Sequence, residues 1–204
     1  MSPTTQLEGP YSDITGVILA GGRSRRMGRD KAMLEMGGVT LFDRALKMMG
    51  RLFAEVLIAG DREDLVRPGV CCHPDLFPGS ALGGLYTGLI ASNNDAVFVC
   101  SCDMPFPDLD IARLVVSQDH GFDVVVPRTT DGPEPLFARY HKRCLPAIKK
   151  MLDREQFRVY DLFPRVNTRY LDVSELPPGW QNSLVNVNTP EEYNRIKERR
   201  WALR

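Results

Sequence analysis

Asp103 follows the most apolar run of the chain, residues 96–100 (AVFVC), and its neighbours Cys102, Met104 and Pro105 carry no charge. A carboxylate placed directly after a buried strand is costly unless a cation meets it. Mg²⁺ takes one or two carboxylates and completes its shell with phosphate oxygens, so Asp103 is the expected metal ligand. The competing role, a cap on the helix near Pro107, suits Asp108 better. A second run supplies the phosphate side. Val17, Ile18, Leu19 and Ala20 stop at Gly21 and Gly22, and Arg23, Arg25, Arg26, Gly28, Arg29 and Lys31 follow. Glycine lets backbone N–H groups approach an anion with no side chain in the way. Arginine and lysine add charge-assisted hydrogen bonds to phosphate oxygens. Lys31 is expected to reach the β- and γ-phosphates of a nucleoside triphosphate, and Arg26 to hold phosphate in its fork. Arg23, Arg25 and Arg29 suit solvated positions equally well, and Met27 suits packing. The loop contains neither G-x-x-x-x-G-K-[ST] nor G-x-G-x-x-G at the required spacing.

These groups need strands to deliver them. Residues 14–20, 55–59, 69–72, 96–100 and 122–126 read as strands, the last stopped by Pro127. Between them, Thr40 caps a helix whose apolar positions include Leu41, Phe42, Ala45, Met48, Met49 and Leu52. Residues 80–91 read as a glycine-rich turn and then a helix, and 109–117 as another helix. Such alternation predicts an α/β fold, Rossmann-like and doubly wound on a mostly parallel sheet. Ligands of such sheets bind outside the carboxyl ends of the strands, where Gly21 and Asp103 fall. The C-terminal third is mixed, with strands expected at 135–140 and 165–171 and helices at 147–152 and 191–200.

The 204 residues suit one domain over 14–204, with 1–13 as a polar, disordered tail. Lys+Arg and Asp+Glu both number 26, which argues against a general nucleic-acid binder and makes the basic loop a local feature. The chain has no run of 18 apolar residues, so no membrane span is expected and the cytoplasm is the default location. Its five cysteines form no C-x-x-C and are expected as reduced thiols. The three histidines are scattered and suggest neither a metal set nor a triad.

Leu19, Ala20, Gly21, Gly22, Arg26, Met27, Gly28 and Lys31 together spell L-A-G-G-x-x-x-R-M-G-x-x-K. This resembles the signature of small-molecule nucleotidyltransferases. Within that group the chain is most similar to the molybdenum cofactor guanylyltransferases, over about residues 14–199. The resemblance implies a sheet of the nucleotide-diphospho-sugar transferase type. It implies that Leu19, Ala20, Gly21 and Gly22 line the nucleotide, with Lys31 as a nucleotide ligand. Cys102, Asp103, Pro105 and Phe106 match the family's C-D-x-P-[FY] metal motif, with Asp103 on Mg²⁺. Residues 75–88 (DLFPGSALGGLYTG) match its D-spacer-G-P-L-A-G pattern in part. There Asp75 corresponds to the nucleotide-binding aspartate, with His73 the rival alignment, and Gly83 and Gly84 are expected to run along the base. Ala59 stands where some members carry asparagine, and either Asp61 or the backbone substitutes. Asn186 and Asn188, in VNVNTPEE, resemble the acceptor-side motif and are expected to face a pterin; Thr189 serves equally well as a helix cap. A Glu-Pro-Leu segment, 134–136, recurs in the family beside the acceptor site, where Arg128 or Arg139 is a candidate for the acceptor phosphate, although a structural role suits both better.

The implied enzyme transfers GMP from GTP to a molybdopterin-type cofactor and releases pyrophosphate. Transient contact with molybdoenzymes or cofactor-delivery proteins belongs to the same implication. Cytidylyl or uridylyl transfer to another phosphorylated acceptor is the nearest alternative. A nicotinamide-dependent oxidoreductase and a non-catalytic nucleotide sensor remain open from the residues alone; the missing G-x-G-x-x-G opposes the first and Asp103 the second.

Overall fold

The computed structural model describes residues 10–21 and 30–201, without the side chains of 199–201. Its strands and helices follow in the order β1 (Tyr11–Leu19), β2 (Glu35–Met36), β3 (Val39–Thr40), α1 (Leu41–Leu52), β4 (Phe53–Ala59), β5 (Cys71–His73), α2 (Ala81–Ala91), β6 (Ala96–Ser101) and α3 (Leu109–Val116). The second half contributes β7 (Val124–Thr129), β8 (Gly132–Pro133), β9 (Phe137–His141), α4 (Leu145–Leu152), β10 (Thr168–Asp172), α5 (Trp180–Ser183) and α6 (Pro190–Trp201).

The main sheet runs β10-β7-β9-β6-β1-β4-β5, with β8 paired to β7. β1 is parallel to β4 and β6, β4 to β5, and β7 to β10. β9 alone on that path runs the other way, antiparallel to β6 and to β7. Its register sets Phe137 beside Cys100, so β9 begins where β6 ends.

Alternation along each strand explains the two faces. Ile18, Ile58, Phe98 and Cys100 pack against α1 and α3 through Phe42, Met49, Ile111 and Val115. Val17, Leu19, Val97 and Val99 point the other way, against α2 and α4 through Leu82, Leu85, Ile148 and Met151. All six residues of β6 are buried, as expected for a central strand covered on both sides. Among the described residues no helix is long and apolar enough to cross a membrane.

Several expected boundaries shift for local reasons. β1 starts at Tyr11 rather than at residue 14, because Tyr11 pairs with Phe53 and their rings meet at a tilt, with centroids 6.3 Å apart. Pro127 does not stop β7. Its carbonyl takes the Glu134 N–H at 2.8 Å, so its missing donor faces the same side. There β9 pairing ends at Val125 and β8 pairing begins at Arg128, and the Glu134 carbonyl that the missing donor would have met takes the Phe137 N–H instead. Gly83 and Gly84 form no turn. Ser80 caps α2 by accepting the Gly83 N–H at 3.0 Å, and both glycines lie inside the helix.

Candidate active site

β1 and β6 lie side by side, with Leu19 opposite Ser101. The Cys102 N–H bonds the Leu19 carbonyl at 3.3 Å just past their ends. Ala20, Gly21, Cys102 and Asp103 therefore emerge together at the carboxyl edge of the sheet. Lys31 returns to that edge on a 3₁₀ turn, Lys31–Met33, capped by Asp30 through the Ala32 N–H at 3.0 Å. Its ammonium donates to Asp103 Oδ2 at 3.0 Å and to Asn188 Oδ1 at 2.8 Å. Ser101 Oγ donates to the other Asp103 oxygen at 2.6 Å. The Val187 N–H bonds the Asp103 carbonyl at 2.9 Å, which fastens the C-terminal segment to the site. Leu19, Gly21, Asp30, Lys31, Ser101 and Asp103 are among the residues that line a cavity of about 190 Å³.

The cation missing beside Asp103 in the sequence is thus Lys31 in space. The two side chains are only 18% and 16% exposed, so the pair is partly desolvated. Arg62, which belongs to none of the motifs, forms another wall of the cavity. It grips Asp30 at 2.6 Å and Asp64 at 2.8 Å, and those carboxylates raise its already high pKa. Its only sequence signal is a basic residue just past the end of β4.

Asp75 sits behind Gly21, where a Cβ would come within 2.6 Å of its Oδ2. Its Oδ1 is buried and, among the described residues, has no hydrogen-bond partner. Burial, and then the charge of Asp61, raises its pKa. Asp75, not His73, therefore holds the position beside the Leu19–Gly21 strand end. Gly84 faces both Leu19 and Asp75 Oδ1. Gly83 does not run along a base: a Cβ there would lie 1.8 Å from the Phe77 carbonyl oxygen, so its smallness serves helix packing. Asp61 is exposed and acts on Asp75 as a like charge.

Of the two residues expected to face an acceptor, Asn188 contacts Lys31, while the half-buried Asn186 lies beside Glu134. Thr189 caps α6, accepting the Glu192 N–H at 3.2 Å, while the Glu192 carboxylate takes the Asn188 and Thr189 N–H groups. Arg139 is 2% exposed, and its guanidinium closes the end of α3 on the carbonyls of Val116, Gln118 and Asp119. Arg128 pairs with Asp172 at 2.7 Å and covers the Tyr170 ring. Arg139 is thereby committed to the fold, while Arg128 stays at the surface in an exposed ion pair. Gly22 and Arg26, with the rest of the basic loop from 22 to 29, lie outside the described residues.

Among the described residues no three His, Cys, Asp or Glu side chains converge as a metal cage. Asp103 presents one carboxylate at the cavity, and that donor set fits a divalent cation arriving with phosphate oxygens. Burial drives the Cys100 thiol up and pushes Cys102 to about 12, so both stay protonated. A larger cavity of about 800 Å³ opens between α1 and α6 near Lys47, Arg51 and Arg195, and none of the expected site residues lines it.

The family model for the MobA-like NTP transferase domain matches residues 16–167. A probable molybdenum cofactor guanylyltransferase from Pelotomaculum thermopropionicum is 40% identical over 182 residues, covering 87% of this chain and 89% of that one. Molybdopterin-guanine dinucleotide biosynthesis protein A from Archaeoglobus fulgidus has a similar structure, with a TM-score of 0.79 at 21% identity, covering 91% and 97% of the two chains. A Mycobacterium tuberculosis protein crystallised with manganese aligns with a TM-score of 0.67 at 20% identity, covering 92% and 99%.

Proposed function

Because this chain belongs to the MobA-like NTP transferase domain family, we propose that it transfers GMP from GTP to a molybdopterin-type cofactor, releasing pyrophosphate and forming the guanine dinucleotide cofactor. The observation that carries this reading is the Lys31–Asp103–Asn188 cluster near the ends of β1 and β6, with the buried Asp75 Oδ1 beside Gly21 that no described residue hydrogen-bonds. The first is suited to a triphosphate, the second to a base with N–H donors. Guanine offers two such donors, its ring N1–H and its 2-amino group, to one carboxylate.

In this reaction an oxygen of the acceptor phosphate bonds to the α-phosphorus as the bond to the β-phosphate oxygen breaks. Both reactants are anions, and no protein nucleophile is needed, so positioning and charge neutralisation dominate. Lys31 stands where it can follow the triphosphate and stabilise the departing pyrophosphate. Until then Asp103 holds it in place. The Leu19–Gly21 backbone and Asp75 orient the nucleotide, and Asn186 and Asn188 orient the acceptor. Mg²⁺ is the proposed metal: on Asp103 and phosphate oxygens it would neutralise the charge that develops on the triphosphate. Handover of the product to a molybdoenzyme or a delivery protein belongs to the same proposal.

The test is calorimetric titration with GTP, CTP, UTP and ATP, each with and without Mg²⁺. GTP is expected to bind far more tightly than ATP, because a wrong base leaves the buried Asp75 oxygen unpaired. A site built on such pairing discriminates by up to roughly 10⁴-fold. Equal affinity for GTP and ATP would remove guanine from the reading and leave the transferase chemistry.

A further inference from the structure

Glu134 is a second carboxyl at the sheet edge that has no cationic partner among the described residues. The reversed strand β9 delivers it. Its N–H bonds the Pro127 carbonyl at 2.8 Å, its carbonyl takes the Phe137 N–H at 3.0 Å, and prolines flank it on both sides. Two residues on, the Leu136 carbonyl bonds the Ser101 N–H at 3.0 Å, tying this segment to the strand end that carries Asp103. The groups that act on the half-buried carboxyl are Asp131 and the Asn186 side chain, with no lysine or arginine among them. Burial, reinforced by Asp131, pushes its pKa up to about 7. Asn186 is held from the other direction by its neighbour Val187, whose N–H bonds the Asp103 carbonyl at 2.9 Å. Its Oδ1 is buried and, among the described residues, has no donor.

Two acceptors are therefore held together beside the reaction centre, and the described protein supplies neither with a full set of donors. Leaving such groups unpaired is costly, and a ligand with two adjacent N–H donors removes the cost. Guanine and a pterin share that edge, an amino group next to a ring N–H and a carbonyl. Along the sheet edge Asp75 follows β5, on one side of Asp103, while Glu134 precedes β9, on the other. Resting on the transferase reading above, we propose that Glu134 and Asn186 form the subsite for the acceptor's heterocycle and read the amino-and-ring-N–H edge of a 2-amino-4-oxo pteridine. Asp75 and Glu134 then recognise the same chemical edge on two different rings, one on each side of the phosphate being transferred.

The experiment compares the full-length wild type with Glu134→Gln in three measurements. These are GTP affinity by calorimetry, GMP transfer to molybdopterin at varied acceptor concentration, and inhibition of transfer by free pterin and by its 2-oxo analogue lumazine. Glu134→Gln is expected to bind GTP as the wild type does. Its KM for molybdopterin should rise about 10- to 100-fold, the range for one hydrogen bond to a charged group, with a much smaller change in kcat. Wild type should be inhibited better by pterin than by lumazine, and the variant should treat them alike. Thermal denaturation verifies that the variant is folded, and Asn186→Ala should erase the same pterin preference if Glu134→Gln is not. An unchanged acceptor KM and an unchanged pterin preference would overturn the subsite, as would lost GTP binding in a folded variant. Wild type that binds GTP but transfers nothing to molybdopterin would instead overturn the function on which the subsite rests.

Discussion

Asp103→Asn separates a structural carboxylate from a reactive one. The change keeps the size of the side chain and removes its charge. In the folded protein one oxygen accepts from Ser101 Oγ at 2.6 Å and the other from Lys31 at 3.0 Å. An amide keeps one acceptor for the serine hydroxyl, and Lys31 keeps Asn188 at 2.8 Å. Two unit charges 4 Å apart attract by about 4 kcal/mol at an effective dielectric of 20, but desolvation of both groups cancels much of this. With side chains 18% and 16% exposed, the pair falls between exposed pairs worth about 0–1 kcal/mol and buried ones costing about 3–5 kcal/mol to break. A loss of about 1–2 kcal/mol in urea unfolding is expected, with an unchanged slope. The transfer reaction should lose far more, on the order of 10²–10⁴-fold, equivalent to about 3–5 kcal/mol of barrier. GTP binding that remains should no longer respond to Mg²⁺. The assay is pyrophosphate release against Mg²⁺ concentration for both proteins. A variant with wild-type rate and wild-type Mg²⁺ dependence would refute the reasoning and leave Asp103 as a structural partner of Lys31.

Lys31→Ala should weaken GTP binding and slow transfer by about 10²–10³-fold, and Lys31→Arg should recover only part of this because a planar fork replaces a point charge; steady-state kinetics with normal parameters for Lys31→Ala would remove its phosphate role. Gly83→Ala should prevent folding or cost about 3 kcal/mol or more, since its Cβ would meet the Phe77 carbonyl oxygen at 1.8 Å; chemical denaturation reads the result, and a neutral substitution would show that α2 moves freely. Burial, and then the charge of Asp131, raises the Glu134 pKa from the ordinary 4.5 to about 7, so its favourable contribution is complete below about pH 4.5 and is lost as pH rises through 7. Glu134→Gln should therefore be more stable than wild type at pH 8, by about 1–3 kcal/mol, and equally stable at pH 4. Denaturation midpoints that differ equally at both pH values would contradict the burial of that carboxyl.

The sheet and its helices were legible because their signals are local. Residues 96–100 are apolar throughout, and Thr40 precedes a helical stripe, so β6 and α1 appear where expected. The failures share a cause, which is that long-range partners decide them. Gly83 and Gly84 suggest a turn until Ser80 caps a helix over them and the Phe77 carbonyl requires a glycine. Pro127 suggests a strand end unless the position of β8 and β9 is known. At the site, Asp103 and Lys31 were each legible by type and setting, but their ion pair spans 72 positions and no spacing rule reaches it. A structural role for Arg139 and Arg128 was the better expectation, but their partners, carbonyls past the end of α3 and Asp172, are remote in sequence and could not be named from it. Arg62 and Glu134 gave only weak signals, a charge just past a strand end and a glutamate between two prolines.

The reversal of β9 has a consequence for how such a protein diversifies. Leu19–Gly21 and Asp103 leave the sheet at the ends of parallel strands, so any change there disturbs the helical crossovers that follow. Glu134 reaches the same edge at the start of a strand, on a hairpin formed by β7, β8 and β9. A hairpin tolerates insertion, deletion and exchange without rewinding the sheet. On the proposed assignment, the nucleotide half of the cleft is tied to the architecture, and the acceptor half lies on a hairpin that can be exchanged while the nucleotide half persists.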